Sequence, residues 1–210
     1  MIYAIIYLKR VTTQERDKGV TMKLIYQINL CVNSRVESKL ISLTKRISAK
    51  YHSSYLANKP YGPHITLFIA DKNELEEKHI NEIIKKLKSI CSNTPRFTLE
   101  INGSGYFRNN TKGRNGSNNV LYLKIKSNQR LNRLYKETCG ALSEYAKPAH
   151  RKFIPHVAIA RGDLSRDNLY RARKELDQRA IRYQYTLTSI VLLTKKRDNE
   201  RWTKRYMRLR

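Results

Sequence analysis

The alternation of apolar and polar residues along the chain predicts a series of strands and amphipathic helices. Residues 24–32, LIYQINLCV, form a mostly apolar run that predicts a buried strand. Asn33 or Ser34 can cap the helix that follows, because both side chains accept hydrogen bonds from free backbone N–H groups. Apolar residues of that helix recur at spacings of four, three and four, which places them on one face: Val36, Leu40, Leu43 and Ile47.

Strands and helices continue to alternate through the rest of the sequence. A second helix is predicted to start near Asn73, where Glu76 would complete a capping box. Residues 102–119 are rich in Gly, Asn and Ser and predict a basic loop. The periodicity predicts further helices over 131–145 and from about Ser165. It predicts further strands over 96–101, 120–125, 181–193 and 202–209.

Two strands begin with the same dipeptide, Pro-His. They read PHITLF and PHVAIAR, with the histidines at positions 64 and 156. Because successive side chains of a strand point to opposite faces, His64 shares a face with Thr66. In the same way, His156 shares a face with Ala158. We expect the apolar residues between them to face the core.

These two strands lie at corresponding places in an internal repeat. Residues 24–90 and 120–178 share the order strand, helix, Pro-His strand, helix. The repeat puts His64 and His156 in equivalent positions, and two imidazoles facing one cleft predict an acid–base pair. The alternative is an α+β domain built from two unrelated pieces, in which each histidine only makes structural hydrogen bonds.

The charge of the chain favours a polyanionic partner. The 210 residues include 43 Lys and Arg against 17 Asp and Glu, a net charge of +26. Such an excess favours RNA or another nucleotide polyanion, because phosphate neutralisation releases counterions. The alternative is a basic, solubilising surface, since charge by itself supports only non-specific affinity.

The cysteines and the hydropathy pattern predict a cytoplasmic protein. Cys31, Cys91 and Cys139 form no CxxC pair and lie in apolar segments, which predicts reduced thiols packed as small hydrophobic residues. No run approaches the ~18–20 apolar residues that span a membrane, so no membrane partner is expected.

The first residues of the chain are predicted to lie outside the fold. Residues 1–8 are apolar but lack the basic lead and small-residue cleavage site of a signal peptide. We expect Met22 to be the working start, 1–21 to be an extension, and 22–210 to form a single bilobal domain. We expect the protein to be a monomer.

The two Pro-His strands resemble the paired H-x-[T/S] motifs of the 2H phosphoesterase superfamily. The resemblance is to its LigT-like branch of 2′-5′ RNA ligases and RNA 2′,3′-cyclic phosphodiesterases. Residues 103–107, GSGYF, with the apolar strand at 120–123, are similar to the family's segment between the motifs. The resemblance covers 24–209. It implies an α+β fold with two pseudo-symmetric lobes, each an antiparallel sheet with helices packed outside, flanking a central cleft.

The resemblance also implies a reaction and roles for the site residues. The implied reaction is metal-independent hydrolysis of RNA 2′,3′-cyclic phosphate ends to 2′-phosphate, with a reversible 2′-5′ RNA ligase activity as a second reaction of the same site. By analogy, His156 would activate water, His64 would protonate the leaving 3′ oxygen, and Thr66 would hold a phosphate oxygen. The sequence leaves the reversed order of the two histidines open. No cofactor is implied, and the chain shows no clustered set of metal ligands.

One position departs from the family pattern. The first motif is intact as His64-Ile65-Thr66, but Ala158 replaces the hydroxyl residue of the second motif. Three hypotheses follow: an RNA cyclic phosphodiesterase, a phosphodiesterase for cyclic or 2′-5′-linked oligonucleotides, and a basic RNA-binding module with weakened catalysis.

Three further residues are candidates for substrate contact. Arg161 could hold the phosphate, but it lies five residues beyond His156 and so faces away unless the strand ends or bulges. Tyr61 and Phe153, which precede the two motifs, could stack on a base or simply pack.

Overall fold

The computed structural model describes residues 23–58, 62–70, 75–108, 119–148, 152–196 and 201–210. In these ranges the strands are β1 (Lys23–Cys31), β2 (His64–Ile69), β3 (Leu75–Glu76), β4 (Phe97–Phe107), β5 (Val120–Ile125), β6 (His156–Arg161), β7 (Arg182–Leu187), β8 (Ser189–Lys196) and β9 (Thr203–Arg208). The helices are α1 (Ser34–Tyr51), α2 (Ile80–Asn93), α3 (Gln129–Leu142) and α4 (Arg166–Gln178). The predicted start at Met22 and the predicted extension 1–21 lie outside the described residues.

The strands form one antiparallel sheet in the order β7-β4-β5-β6-β2-β1-β8-β9, with β3 paired to β1. This order is symmetric about the central β6–β2 pair, so each half holds the two paired strands of one repeat and two further strands, of which the outer one forms the edge. The halves meet where Ile65 pairs with Val157. The predicted α+β fold with two pseudo-symmetric lobes is confirmed, and the sheets of the two lobes are continuous.

The helices cover the sheet in pairs. Helices α2 and α3 pack against the half that contains β2, whereas α1 and α4 pack against the half that contains β6. The hydrophobic core lies between helices and sheet. It includes Ile65 and Val157, both fully buried. Burial of an aliphatic side chain of this size stabilises a fold by ~1.5–3 kcal/mol, so the junction between the halves is held by the core itself.

Helix α1 begins and ends as its sequence dictates. The Asn33 side chain accepts a hydrogen bond from the backbone N–H of Val36 at 3.0 Å, which confirms the predicted cap. The predicted apolar face, Val36 to Ile47, is buried. The helix ends at Tyr51, and the capping residue His52 takes the left-handed conformation with φ of 54°.

The second helix starts later than predicted. Leu75 and Glu76 pair with β1 as the short strand β3, and a 3₁₀ turn, Glu77–His79, leads into α2 at Ile80. Glu76 therefore makes no capping box, and Asn73 lies outside the described residues. Sheet pairing outweighed the local capping signal here.

The strand predicted over 181–193 is two strands that lie far apart in the sheet. The chain leaves β7 at Leu187 and starts β8 at Ser189. Strand β7 pairs with β4 at one end of the sheet, whereas β8 pairs with β1 and β9 near the other end. An apolar run records burial but not the partner strand, so the pattern could not show this break.

Strand β4 also extends further than predicted. It continues through 102–107, part of the predicted basic loop, to pair with β5. A register shift between Ile101 and Ser104 accommodates Gly103, whose φ of +76° suits glycine. Residues 109–118 of the predicted loop lie outside the described residues.

No helix among the described residues is long and apolar enough to cross a membrane. All three cysteines lie in the described ranges and none forms a disulfide.

Candidate active site

The two motif histidines are held in the same way. Nδ1 of His64 lies 2.9 Å from the Gly62 carbonyl oxygen, and Nδ1 of His156 lies 2.7 Å from the Ile154 carbonyl oxygen. A carbonyl can only accept, so each Nδ1 carries the hydrogen and each neutral ring keeps its lone pair on Nε2. Both rings are partly buried. The repeat therefore fixes one tautomer at both positions.

The register of the central strands places the histidines diagonally across one face. Because Ile65 pairs with Val157, His64 lies opposite Ala158 and Thr66 lies opposite His156. Diagonal neighbours on paired strands are ~7–8 Å apart, which leaves room for one phosphoryl group. His64 and Ala158 line a pocket of about 350 Å³.

A glutamine on β1 organises the first motif. The amide nitrogen of Gln27 lies 2.6 Å from Asn29 Oδ1, 3.2 Å from Thr66 Oγ1 and 3.3 Å from His64 Nε2. An amide has two N–H groups, so it donates to Asn29 and to one of the other two acceptors at a time. When Thr66 accepts from Gln27, its own hydroxyl hydrogen remains available to a phosphate oxygen.

Matching bulges shape both motif strands. In β2, Phe68 pairs with Ile28 and Thr66 with Asn29, so Leu67 is an extra residue. Each bulge puts two successive residues on the core side, which explains why Leu67 and Phe68 are both buried.

The second bulge brings Arg161 onto the face of the histidines. In β6, Ala160 pairs with Leu121 and Ala158 with Tyr122, so Ile159 is the extra residue. The alternation restarts after Ile159, and Arg161 faces the same side as His156. The strand thus bulges at the position on which the Arg161 prediction depended. Arg161 is exposed, and its charge acts on His64.

The surroundings of His64 favour its neutral form. Burial lowers the pKa of His64 below its ordinary value, and the positive charges of His156 and Arg161 lower the pKa further. The hydrogen bond to the Gly62 carbonyl opposes this shift without cancelling it. A neutral ring with its lone pair on Nε2 is the form that can take a proton.

Two aromatic rings pack against His156. The ring centroids of Phe107 and Tyr122 lie 5.1 and 4.9 Å from that of His156. Tyr122 occupies the space above Gly105, where an added Cβ would lie 2.6 Å from the ring. Gly105 therefore allows the close approach that sets Tyr122 against the imidazole.

Of the two residues predicted to stack on a base, Tyr61 and Phe153, the described ranges include only Phe153. Tyr61 lies outside the described residues. Phe153 stacks on Tyr135 of α3, with centroids 4.1 Å apart and ring planes 4° from parallel. This contact supports the packing alternative for Phe153.

Sequence reasoning missed Gln27, Phe107 and Tyr122 as parts of the site. A signal for Gln27 was present, because Gln27 and Asn29 place two amides on one face of an otherwise apolar strand. The aromatic pair lies in the two segments that resemble the family's, 103–107 and 120–123, but its place beside His156 depends on the pairing of β4 with β5 and of β5 with β6. Among the described residues, no three His, Cys, Asp or Glu side chains are grouped to hold a metal ion.

Comparison with known proteins assigns the family. The sequence profile of the 2′-5′ RNA ligase superfamily matches residues 36–199. The chain belongs to the 2′-5′ RNA ligase superfamily, the 2H phosphoesterases. It is 27% identical over 135 residues to a Thermotoga maritima protein named RNA 2′,3′-cyclic phosphodiesterase, which covers 64% of this chain and 67% of that protein.

Solved structures share the 2H phosphoesterase fold. The TT0787 protein of Thermus thermophilus superposes with a TM-score of 0.60 at 15% identity, covering 90% of this chain and 98% of that one. E. coli LigT complexed with 3′-AMP superposes with a TM-score of 0.57 at 16% identity, covering 90% and 96%. At these identities the likeness establishes the fold.

Replacing Gly105 should disturb the wall behind His156. Gly105→Ala forces a methyl group into the Tyr122 ring, and overpacking of this kind costs ~1–3 kcal/mol of unfolding free energy. Urea denaturation measures the loss. Gly140→Ala is the matched control, because Gly140 lies in α3 with open space around its Cα. We expect that variant to gain ~0.5–1 kcal/mol. Equal losses in both variants would contradict the packing role.

The charge of Arg161 should be visible in the titration of His64. Neutralising it in Arg161→Gln removes a repulsion that disfavours imidazolium, so the pKa of His64 should rise. NMR titration of the ring protons measures the pKa in both proteins. Arg130→Gln is the control, since Arg130 does not contribute to the shift. An unchanged pKa in Arg161→Gln would show that the guanidinium points away from the site.

Proposed function

We propose that this 2H phosphoesterase hydrolyses RNA ends that carry a 2′,3′-cyclic phosphate, leaving a 2′-phosphate. The observation that carries the proposal is the arrangement of His64 and His156. Both rings lie on one face of the sheet, both carry the hydrogen on Nδ1, and their separation accommodates one phosphoryl group. Hydrolysis needs one group to take a proton from water and another to protonate the leaving 3′ oxygen. Each such role contributes ~10²–10⁴-fold to the rate.

The comparisons support this choice of substrate. The Thermotoga maritima relative carries the name of the proposed activity. The E. coli LigT structure holds 3′-AMP, a nucleotide with a phosphate on its ribose. The net charge of +26 also suits an RNA substrate, because basic side chains neutralise backbone phosphates and release counterions. We include 2′-5′ ligation, in which the 5′-hydroxyl of a second RNA takes the place of water. Its oxygen bonds to phosphorus as the P–O3′ bond breaks, the base takes its proton, and the acid protonates the leaving 3′ oxygen.

We assign water activation to His64 and protonation of the leaving oxygen to His156. This order reverses the one that the resemblance implies. It is supported by the neutral state of His64, which follows from burial and from two nearby positive charges. The Gln27 amide N–H also faces His64 Nε2, and a donor at that position favours an unprotonated ring nitrogen.

Charge on the phosphoryl oxygens in the transition state needs donors on the cleft face. We propose that the Thr66 hydroxyl holds one oxygen and the Arg161 guanidinium another. Their chemistry differs, since a guanidinium offers charge and a fork of N–H groups, whereas a hydroxyl offers one directed hydrogen. Arg161 lies on the same strand as Ala158 and so supplies a donor to the half that lacks the second hydroxyl.

Ala158 supports a second candidate function, an RNA-binding module with weakened catalysis. The loss of one phosphate donor removes transition-state stabilisation but leaves the basic surface intact. Cyclic or 2′-5′-linked oligonucleotides are further candidate substrates for the same two histidines.

Turnover in the presence of a chelator separates an enzyme from a binder. We expect hydrolysis of an RNA oligonucleotide with a 2′,3′-cyclic end in EDTA, and loss of at least ~10²-fold in kcat for His64→Ala and for His156→Ala. Chromatography of the products identifies the 2′-phosphate. RNA that binds the wild type but yields no product would establish the binding module instead.

The order of acid and base can be tested with an activated leaving group. In a p-nitrophenyl phosphodiester the leaving group is p-nitrophenolate, which departs without being protonated. This substrate should therefore restore activity to His156→Ala but not to His64→Ala. With the RNA substrate, kcat/KM should fall as the pH falls through the lowered pKa of His64, below pH 6.5. Rescue of His64→Ala by the activated substrate would reverse our assignment.

Restoring the second hydroxyl should increase activity. Ala158→Thr places a donor in the position equivalent to Thr66, and we expect kcat/KM for the cyclic RNA end to rise about tenfold, which is the value of ~1.4 kcal/mol. Ala158→Val has the same shape without the hydroxyl and should give no gain. An equal gain from both variants would show that pocket volume, not hydrogen bonding, limits the reaction.

A further inference from the structure

We propose that the outermost strand of the first half binds the single-stranded body of the RNA whose end lies at the histidines. The contact surface consists of Lys204, Tyr206 and Arg208, which we call the β9 stripe. The proposal rests on the proposed function and adds where the rest of the substrate lies and why a polynucleotide is preferred to a mononucleotide.

The ladder of the first half places the β9 stripe on the cleft face. Lys204 pairs with Leu193, and Leu193 pairs with Gln27. Residues paired across an antiparallel sheet share a face. The Gln27 side chain reaches His64, so the face it shares with Lys204 is that of the active site. By alternation, Tyr206 and Arg208 lie on this face as well.

The stripe starts at the active-site pocket. Lys204 lines the same pocket as His64 and Ala158. Glu37 of α1 lines this pocket as well. Burial and the Glu37 carboxylate raise the pKa of the Cys31 thiol, whereas a hydrogen bond with Ser189 and the positive charge of Lys204 lower it. Cys31 is paired with His64. The cation therefore extends from the edge strand toward the reacting phosphate.

The next residue of the stripe offers a surface for stacking. Tyr206 is 63% exposed although it lies in the middle of a strand. Along a strand, residues two apart are separated by ~6.6 Å, so its ring lies between the two cations. A cation, an aromatic ring and a second cation in a row match the way in which proteins hold single-stranded nucleic acid, by backbone neutralisation and base stacking.

The equivalent edge of the other half lacks these properties. Strand β7 carries Arg182, Gln184 and Thr186 on the cleft face. The Arg182 guanidinium lies 3.0 Å from a Glu100 carboxylate oxygen, and Lys126 approaches the same carboxylate at 3.5 Å. That carboxylate would repel a phosphate chain.

Charge therefore distinguishes the two walls of the cleft. Among the described residues, neither Lys204 nor Arg208 has a carboxylate within ion-pairing distance. A polyanion that leaves the histidine pair gains more from β9 than from β7, so we place the strand along the first half.

The test measures binding of a single-stranded RNA decamer with a 2′-phosphate end, the product of the proposed reaction, by fluorescence anisotropy. We expect Kd to rise at least tenfold in the double variant Lys204→Ala/Arg208→Ala. The salt dependence of log K should become shallower by ~1.4, since each lost single-strand phosphate contact removes ~0.7. Tyr206→Ala should weaken binding at least fivefold, whereas Tyr206→Phe should remain within twofold because the ring is kept.

Two arginines serve as matched controls. Arg205 lies on the same strand but pairs with the buried Leu192 and so faces the helices, and Arg205→Ala should change Kd less than twofold. Arg182→Ala tests the opposite wall, and we expect the same small effect. If Arg205→Ala and Lys204→Ala weaken RNA binding equally, the loss of affinity follows the net charge of the protein and not the position of the cation. A larger loss from Arg182→Ala would place the RNA on the other half. Either outcome overturns the proposal.

Ligand length separates this proposal from the function on which it rests. The loss in the β9 variants should be several-fold larger for the decamer than for a nucleoside 2′-monophosphate. Binding of a product requires no turnover, so failure of catalysis leaves this measurement intact. Active hydrolysis combined with equal losses for short and long ligands would refute the β9 stripe alone.

Discussion

The pairing of β2 with β6 is the contact on which the site depends. Two buried side chains, Ile65 and Val157, lie opposite each other at the centre of the sheet. Because side chains alternate with a period of two, this one register puts both histidines on the cleft face. A slip by one residue would turn one imidazole into the core. The hydrophobic core of the junction thus fixes the geometry of the histidine pair.

The two halves repeat the backbone but not the side chains around the motifs. Each motif strand begins with Pro-His, orients its imidazole through the carbonyl two residues earlier, and bulges after its third residue. In the first half Gln27, Asn29 and Thr66 form a polar network. In the second half Tyr122 lies at the position equivalent to Asn29 and pairs with Ala158. His64 therefore lies beside a network of hydrogen-bonded polar side chains, whereas His156 lies beside aromatic rings.

This asymmetry gives the two imidazoles different environments, which is what an acid and a base require. A perfectly symmetric site would give both rings the same proton affinity. Arg161 adds to the difference, since its charge lies on the second strand and disfavours protonation of His64. The same asymmetry continues outward, because Lys204 and Arg208 of one wall form no ion pair within the described residues, whereas the Glu100 carboxylate bridges two cations on the other.

The sequence by itself determined the α+β class, the repeat, the faces of the motif strands and the resemblance to 2H phosphoesterases. All of these follow from local periodicity and short motifs, which are written in consecutive residues. Only the tertiary structure decided that 181–193 is two strands, that Arg161 returns to the cleft, and that Gln27, Phe107 and Tyr122 surround the histidines. Each of these depends on which strand pairs with which, and at what register. Pairing partners are set by burial of the whole core, and no local pattern records them.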